Sequence, residues 1–543
     1  MLKATLKSLI NKLWDRFWSG GISNPLNAIE QMTYLLFMKR IDDLDTQKVQ
    51  DKKDGHIKSY TSIFEGVVKL QGFDEPILKE TLRWSSFAEM KDEEMLQHVR
   101  DKVFPFIRDE LGKSDQGKET SFFTQHMKNS YFMIPKPSLM RDAYRTINEI
   151  YREIDNEANQ EVNNDVSPRD KRSVLNDIQG DVYENLLEEL KTAGKNGQFR
   201  TRPHIVQLVV ELVMSDITDD EVLSPNFRVA DPACGSSTFL LGAFKHIYTR
   251  FTDKTYIHKD DDGFNVGTTG NRLSEDLHRK FEEDTFFGYD IDQTMVRIGL
   301  MNMLMHGITQ PHIDYKDTLS KSYNEQGRYK AVFANPPFTG NIDKEDINEN
   351  LRLPTTKTEL LFIERIHKML TENGTAGIII PQGVLFSSGK AFVETRQLMI
   401  EQAELKAVVA MPSGVFKPYA GVATAILIFT KGRTTEKVWF YDMKSDGYTL
   451  DDKRQADKEK SDLQDIITQF KERNSQSVND RKGKFFFVNY DEIKDKDYDL
   501  SINQYKEEVY PEIHYESPKV ILEKLSFLEK DIVKGIQELQ NLF

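Results

Sequence analysis

Hydrophobic positions change their spacing along this chain, and the change divides it into three parts. From residue 1 to about 165 the apolar residues fall at helical intervals, as Leu26, Ile29, Met32 and Leu36 do after the polar turn Ser23-Asn24-Pro25. Asn24 suits a helix N-cap and Pro25 its first turn, so a helix is expected to begin there. Further helices are expected around residues 94 to 112 and 140 to 156. The polar run "NEANQEVNNDVSPRDK", 156 to 171, carries a proline and reads as a linker.

From 173 to 445 short β-branched apolar runs alternate with helical stretches, the pattern of a parallel, doubly wound α/β sheet. The candidate strands are "FRVAD" (227 to 231), "TFFGYD" (285 to 290), "YKAVFAN" (329 to 335), "TAGIII" (375 to 380), "LKAVVAM" (405 to 411), "ATAILIFT" (423 to 430) and "KVWFYD" (437 to 442). A helix over 358 to 370 lies between two of them. Ligands of such sheets bind beyond the carboxyl ends of the strands, which directs attention to the strand tips.

The third part, 446 to 543, opens with mixed charge that reads as a solvated helix or linker. After Ser517 and Pro518 a sharper pattern follows, with apolar residues at Ile521, Leu525, Leu528, Ile532, Ile536, Leu539 and Leu542. A single apolar stripe on a terminal helix usually packs on its own domain; the rival reading is an arm for a partner chain.

With 543 residues, 38% of them hydrophobic, the chain can bury a large core. Its one cysteine, Cys234, excludes a disulfide framework or multi-cysteine metal site and suits a reducing cytoplasm. The first 18 residues are broken by charges and read as neither a signal peptide nor a membrane span. The net charge of −14 runs against gripping nucleic acid unaided, because phosphate contacts need a basic surface.

Three strand tips carry candidate chemistry. In "VADPACGSSTFLLGAFKHI", 229 to 247, a strand, a tight turn with Gly235 and a helix start follow in succession, which brings backbone amides close to a ligand, although an ordinary strand-to-helix turn reads the same way. It lacks the spacing of a phosphate-binding Walker loop. In "GYDID", Asp290 ends a second strand, where a carboxylate can accept both hydroxyl protons of a ribose or cap a helix. It lies 290 − 231 = 59 residues beyond Asp231 rather than the roughly 20 of compact dinucleotide folds, so an insertion over 252 to 276 is expected.

In "ANPPF", 334 to 338, two prolines hold Asn335 rigidly at a third tip. The side-chain oxygen of Asn335 and the backbone oxygen of Pro336 can each accept a proton of one exocyclic amine, and Phe338 can stack on a planar ring. Two such bonds draw the amine lone pair out of conjugation, and they strengthen as charge develops during attack on a methyl group.

The ordered set "GQF", "DPACGSSTF", "GYDID", "NPPF" and "MPSGVFKPYAGVATAILIF" resembles the modification (M) subunit of type I restriction-modification systems, adenine-specific DNA methyltransferases. "NPLNAIEQMTYLLFMKRIDD", "GDVYENLLEEL", "MNMLMHGI" and "YDLSINQYK" resemble further segments of that family, so the likeness spans nearly the whole chain.

The resemblance implies an α/β fold: a Rossmann-like S-adenosylmethionine-dependent methyltransferase domain (173 to 445), a helical N-terminal domain (1 to 165) and a helical C-terminal extension (446 to 543) for subunit assembly. By motif position, the cofactor would be held by Phe199, Thr201, Asp231, Ala233, Gly235, Ser236, Asp290, Ile291 and Asp317, and the target adenine by Asn335, Pro336, Pro337 and Phe338, with no metal. Asp290 would take the ribose, Asp317 the adenine of the cofactor, and Phe199 with Thr201 would fold over it. Implied partners are duplex DNA with a flipped adenine, a specificity (S) subunit, a second M subunit and a restriction (R) subunit, in the cytoplasm and away from membranes. Two departures stand out: Arg202 separates Thr201 from Pro203, where relatives have Thr-Pro, and Ser237 stands where many carry glycine.

Cys234 lies in the cofactor loop, not on the motif of ring-carbon cytosine methyltransferases, so a nucleophilic cysteine is not expected. Two other functions share parts of the pattern. A protein glutamine amide methyltransferase also uses an Asn-Pro-Pro turn, usually followed by tyrosine, without these helical flanks. A non-catalytic assembly subunit would carry the motifs as remnants.

Overall fold

The computed structural model describes residues 2–55, 58–111, 127, 129–161, 168–188, 200–476, 479–507 and 517–541. The expected N-terminal helices are present: α1 (Ala4–Ser19), α2 (Pro25–Lys53) and α3 (Pro137–Glu161), with helical turns from Asp92 to Glu110. The Asn24 side-chain oxygen accepts from Leu26 N at 2.9 Å and Pro25 opens the first turn of α2. α1 buries Leu6, Ile10, Leu13 and Phe17, one residue per turn. The expected linker differs, because α3 runs through Glu161 and α4 (Pro168–Glu188) starts at the proline, leaving 162–167 outside the described residues. Proline is well placed in a first helical turn, so here it opened a helix.

Nine strands form the central sheet among the described residues. They are β1 (Val229–Asp231), β2 (Phe286–Asp290), β3 (His312–Tyr315), β4 (Tyr329–Ala334), β5 (Leu370–Pro381), β6 (Ala403–Met411), β7 (Thr424–Lys431), β8 (Lys437–Asp442) and β9 (Phe485–Asn489). Their spatial order is β9-β8-β6-β7-β5-β4-β1-β2-β3. The sheet is mixed, where a wholly parallel one was expected: β7 runs antiparallel to β5 and β6, and β9 antiparallel to β8. β7 is buried along nearly its whole length, as a strand covered on both faces is in either direction, so its residues do not reveal its sense. The sheet also passes the expected boundary at 445, since β9 adds an edge within the charge-rich C-terminal region.

Helices α5 (Pro203–Met214), α6 (Thr238–Arg250), α7 (Gln293–Met305), α8 (Thr358–Met369), α9 (Lys390–Glu401) and α10 (Leu463–Glu472) accompany the sheet. The interval between β1 and β2 holds α6, a hairpin of His258–Lys259 with Asn265–Val266, and a helix Glu275–Glu283, as the long spacing required. The N-terminal helices are tied to this unit where Arg297 Nε of α7 donates to Glu30 Oε1 of α2 at 2.7 Å, both side chains being buried. Tyr34 Oη donates to the same Glu30 oxygen at 2.7 Å.

The terminal helix α11 (Pro518–Gln540) departs from the expectation that its stripe packs on its own domain. None of its described residues is buried, and Leu522, Phe527 and Ile532 are 63%, 67% and 61% exposed. Leu542, the last residue of the expected stripe, lies outside the described residues.

Candidate functional site

The carboxyl ends of β1, β2, β3 and β4 lie side by side, because these four strands are parallel neighbours. At the tip of β1, Asp231 is buried and its Oδ1 accepts from Ala233 N at 3.0 Å, which tightens the turn. Gly235 then takes φ +51°, a conformation that costs glycine nothing. Ser237 follows at φ +62°, a strained left-handed conformation for a residue with a side chain, and occupies the N-cap position of α6 without a side-chain capping bond. Ser236 Oγ and Thr238 Oγ1 are 2.9 Å apart across the helix start.

Asp290 fastens the second tip to this loop. Its Oδ2 accepts from Gly235 N at 2.9 Å and its Oδ1 from Asp292 N at 2.9 Å. A carboxylate oxygen has a second lone pair, so these bonds leave acceptor capacity toward a ligand diol. Burial raises the pKa of Asp290, and raises that of Asp231 to about 8 with the Asp290 charge adding to it. Neither makes an ion pair with a basic side chain among the described residues, so the two acids form a desolvated well suited to a cationic ligand. Beside it, Ile291 is 67% exposed and offers an apolar face.

The third tip joins through Thr318, whose Oγ1 donates to the Pro232 carbonyl at 3.1 Å. Its neighbour Asp317 is half-buried, with Oδ1 accepting from Leu319 N at 2.9 Å. Tyr315, in register with Asp290 and half exposed, was not singled out by sequence; only its place at a strand end could have suggested it.

At the fourth tip, Asn335 Nδ2 donates to Thr201 Oγ1 at 2.9 Å. Its Oδ1 is buried and has no hydrogen-bond partner among the described residues. Pro336 is buried and Pro337 exposed, while Phe338 is buried with its ring perpendicular to Phe416, 5.8 Å between centroids. Phe416 comes from the "MPSGVFKPYAG" segment after β6, a contact that connects two motifs read separately in the sequence.

Residues 200 to 204 run past these tips and are anchored at nearly every position. Arg200 is bonded to Glu184 of α4, Thr201 to Asn335, and Arg202 Nη2 donates to the Lys417 carbonyl at 2.7 Å. His204 Nε2 donates to Asp446 Oδ2 at 2.9 Å. Arg202 therefore occupies the N-cap position of α5 in extended conformation, while its side chain holds the loop that carries Phe416. Phe199 lies outside the described residues.

Sequence motifs without an assigned role supply a supporting layer. Asn302 Nδ2, in "MNMLMHGI", donates to the Ser236 carbonyl at 2.8 Å and to Glu184 Oε1, in "GDVYENLLEEL", at 2.6 Å. Glu184 thereby connects the glycine loop to Arg200. Cys234 is buried, and burial with the charges of Asp290 and Asp231 pushes its thiol well above the ordinary range, leaving no thiolate for nucleophilic attack. Lys245 donates to both Asp177 and Asp181 at 2.9 and 3.0 Å, filling with its own ammonium the centre of a cluster that also includes His306.

Comparison with known proteins gives this geometry a family. Residues 174–512 match the model described as N-6 DNA Methylase, and residues 6–147 match the HsdM N-terminal domain. The chain is 26% identical over 449 residues to the type I restriction enzyme EcoEI methylase subunit of Escherichia coli, covering 81% of this chain and 77% of that one. It is 24% identical over 458 residues to the EcoKI methylase subunit of Escherichia coli strain K12, covering 80% and 71%. In structure it resembles a modification subunit of a putative type I restriction enzyme from Vibrio vulnificus YJ016, with TM-score 0.66, 19% identity and 91% and 94% of the two chains covered. A chain from a type I restriction-modification complex gives TM-score 0.64 at 23% identity, with 98% of each covered. With both family models matched in order along the chain, it belongs to the N-6 DNA methylase family, among the methylase subunits of type I restriction-modification systems.

Proposed function

We propose that the tips of β1 to β4 bind S-adenosylmethionine and a flipped DNA adenine side by side, and that Asn335, Pro336 and Phe338 prepare the adenine amine for methylation. The observation that carries this is the buried Asn335 Oδ1, without a hydrogen-bond partner among the described residues, at the end of a proline-fixed strand. A buried carbonyl oxygen without a hydrogen bond costs about 1–3 kcal/mol, which a ligand amine relieves.

S-adenosylmethionine, when bound, supplies a methyl group on positively charged sulfur. The residues present fit it: the uncompensated acids Asp231 and Asp290 suit its ammonium and ribose, the 233–236 loop its methionine part, and Ile291 with Asp317 its adenine. Asn335 Oδ1 and the Pro336 carbonyl accept the two amine protons and so direct the nitrogen lone pair away from the base. Phe338, held by Phe416, stacks on the extruded ring. With the amine so held by Asn335 and Pro336, bound S-adenosylmethionine would supply the methyl group, its sulfur would keep the bonding pair, and one amine proton would leave to solvent. Flipping costs a few kcal/mol, offset by this stacking and pairing.

Reading of the DNA sequence is assigned to a separate specificity subunit, consistent with the net charge of −14. The exposed apolar stripe of α11 is its docking arm, with a second methylase subunit and a restriction subunit completing the assembly in the cytoplasm. No described helix is long and apolar enough to cross a membrane. The match to the HsdM N-terminal domain favours this reading over a glutamine amide methyltransferase.

The test is transfer of labelled methyl to DNA by the chain with its specificity subunit, with Asn335→Ala alongside. The expected result is N6-methyladenine formation reduced on the order of 100- to 1,000-fold by the substitution. Transfer undiminished by Asn335→Ala would refute the assignment.

A further inference from the structure

Extruding an adenine opens the base stack around it, and apolar side chains act as wedges at such opened steps. The aromatic residues placed so far beyond the sheet are not free to enter a duplex: Phe338 and Phe416 are 8% and 1% exposed and meet edge to face. The turn after β5 supplies a different ring. Phe386 ends a short helical turn, Gly383–Phe386, and is 54% exposed although Val384 and Leu385 before it are buried. Among the described residues it is the only exposed aromatic on the turns that follow β4, β5 and β6.

A lone exposed phenylalanine is ordinary on a protein surface. This one is held outward by its backbone. Arg396 of α9, 2% exposed, donates through Nη1 to the carbonyls of Val384 at 3.0 Å and Ser387 at 2.9 Å, and Leu500 N donates to the Leu385 carbonyl between them at 2.9 Å. The turn is also seated next to the tip that carries Asn335. Ala334 of β4 pairs with Ile378 of β5, and Gln382 just past β5 donates from Nε2 to the Met411 and Thr424 carbonyls at 3.1 and 3.0 Å. Gln382 N donates to the Ala423 carbonyl at 3.0 Å, and the adjoining Val422 is 51% exposed.

We propose that Phe386 is the wedge of this methylase, entering the duplex at the base step beside the target and stabilising the extruded state of the adenine. This rests on the assignment of Asn335 and Phe338 to the target base. DNA is the occupant because this rim continues from the strand tip that must receive the adenine. A ring on an immobile turn also enters a stack with little ordering cost.

The experiment uses the chain assembled with its specificity subunit, a duplex bearing its mapped target adenine, and the same duplex with an abasic site opposite that adenine, where no base pair has to be broken. A third duplex carries 2-aminopurine at the target position, whose fluorescence rises on extrusion. Phe386→Ala is expected to slow methylation of the paired duplex roughly ten-fold and to suppress the fluorescence rise, yet to methylate the abasic duplex within about two-fold of the wild type. Phe386→Leu, still apolar, is expected to retain most of the activity on both. Equal loss on the paired and abasic duplexes would mark a merely structural role and overturn the proposal, as would no loss on either. Loss of co-purification with the specificity subunit would overturn it in favour of a subunit contact. Asn335→Ala keeps the underlying reading separate: undiminished transfer to the abasic duplex by that variant would refute the target-base assignment itself, whatever Phe386 does.

Discussion

Asp231 and Asp290 end neighbouring parallel strands, and each carboxylate is bonded to the backbone of the same loop, at Ala233 and Gly235. Their shared environment makes ligand binding depend on pH. Asp231 holds its proton up to about pH 8 through burial, against roughly 4 for an ordinary aspartate. The folded chain therefore keeps a proton that the unfolded chain has lost, and the stability this confers at low pH is lost as pH rises through that window. A cationic ligand favours the ionised acid, so affinity for S-adenosylmethionine is expected to rise from about pH 6 to about pH 8 with proton release. Calorimetry in buffers of different ionisation enthalpy measures this; an equally steep profile in Asp231→Asn would assign it elsewhere.

Asn302 is fully buried and bridges the Ser236 carbonyl and Glu184. Asn302→Leu removes both bonds and leaves two acceptors unpaired, at a cost of about 1–3 kcal/mol each. Cofactor affinity is expected to fall at least about ten-fold by titration, with far-ultraviolet circular dichroism unchanged, because the loop and not the sheet depends on this amide.

Gly299 lets α7 approach the loop of Gly235 and Ser237. A Cβ there would stand 2.5 Å from Ser237 Oγ and 3.0 Å from the Gly235 carbonyl. Gly299→Ala is expected to cost about 1–3 kcal/mol of stability despite alanine's better helix propensity, read from denaturant unfolding. Unchanged or increased stability would show that the loop yields freely.

The proposed stacking of Phe338 on the target base has a separate signature. Phe338→Ala is expected to lose about 1–3 kcal/mol of base stacking, seen mainly as a raised KM for DNA, while Phe338→Tyr keeps activity. Equal damage by the two would point to the Phe416 contact rather than to stacking.

Leu525 and Leu528 lie on the exposed stripe of α11, each 56% exposed. The pair Leu525→Asp and Leu528→Asp is expected to abolish co-purification with the specificity subunit while leaving the melting temperature and cofactor affinity of the chain alone as they were. A lowered melting temperature would mean that the stripe packs on its own domain after all.

What the sequence revealed follows from where its constraints act. Seven strands were visible as β-branched runs, but β3 was not, because its edge position leaves only Ile313 buried, and β9 was hidden by surrounding charge. Three strand tips were legible because glycine and proline have fixed backbone meanings, and Gly235 and Pro336 stand where those meanings are used. The partners of these tips were not legible. Thr201 lies 134 residues from Asn335, and no periodicity or turn chemistry links positions so far apart. Glu184 and Asn302 were recognised only as family-like segments, since a supporting hydrogen bond leaves no local pattern.

The anchors of residues 200 to 204 also set an order of events in folding. Arg202 reaches Lys417 across 215 residues and His204 reaches Asp446 across 242, whereas α1 to α11 each close through local bonds. Contacts between such distant positions bear their loop-closure entropy before they return any stability, so this clasp is expected to form late and open first. In hydrogen exchange the amides around Arg202 to His204 should exchange well before those of β4 to β7, and added S-adenosylmethionine should slow them selectively. The methylase would then have a folded sheet waiting for a site, and the ligand itself would complete the last step of its folding.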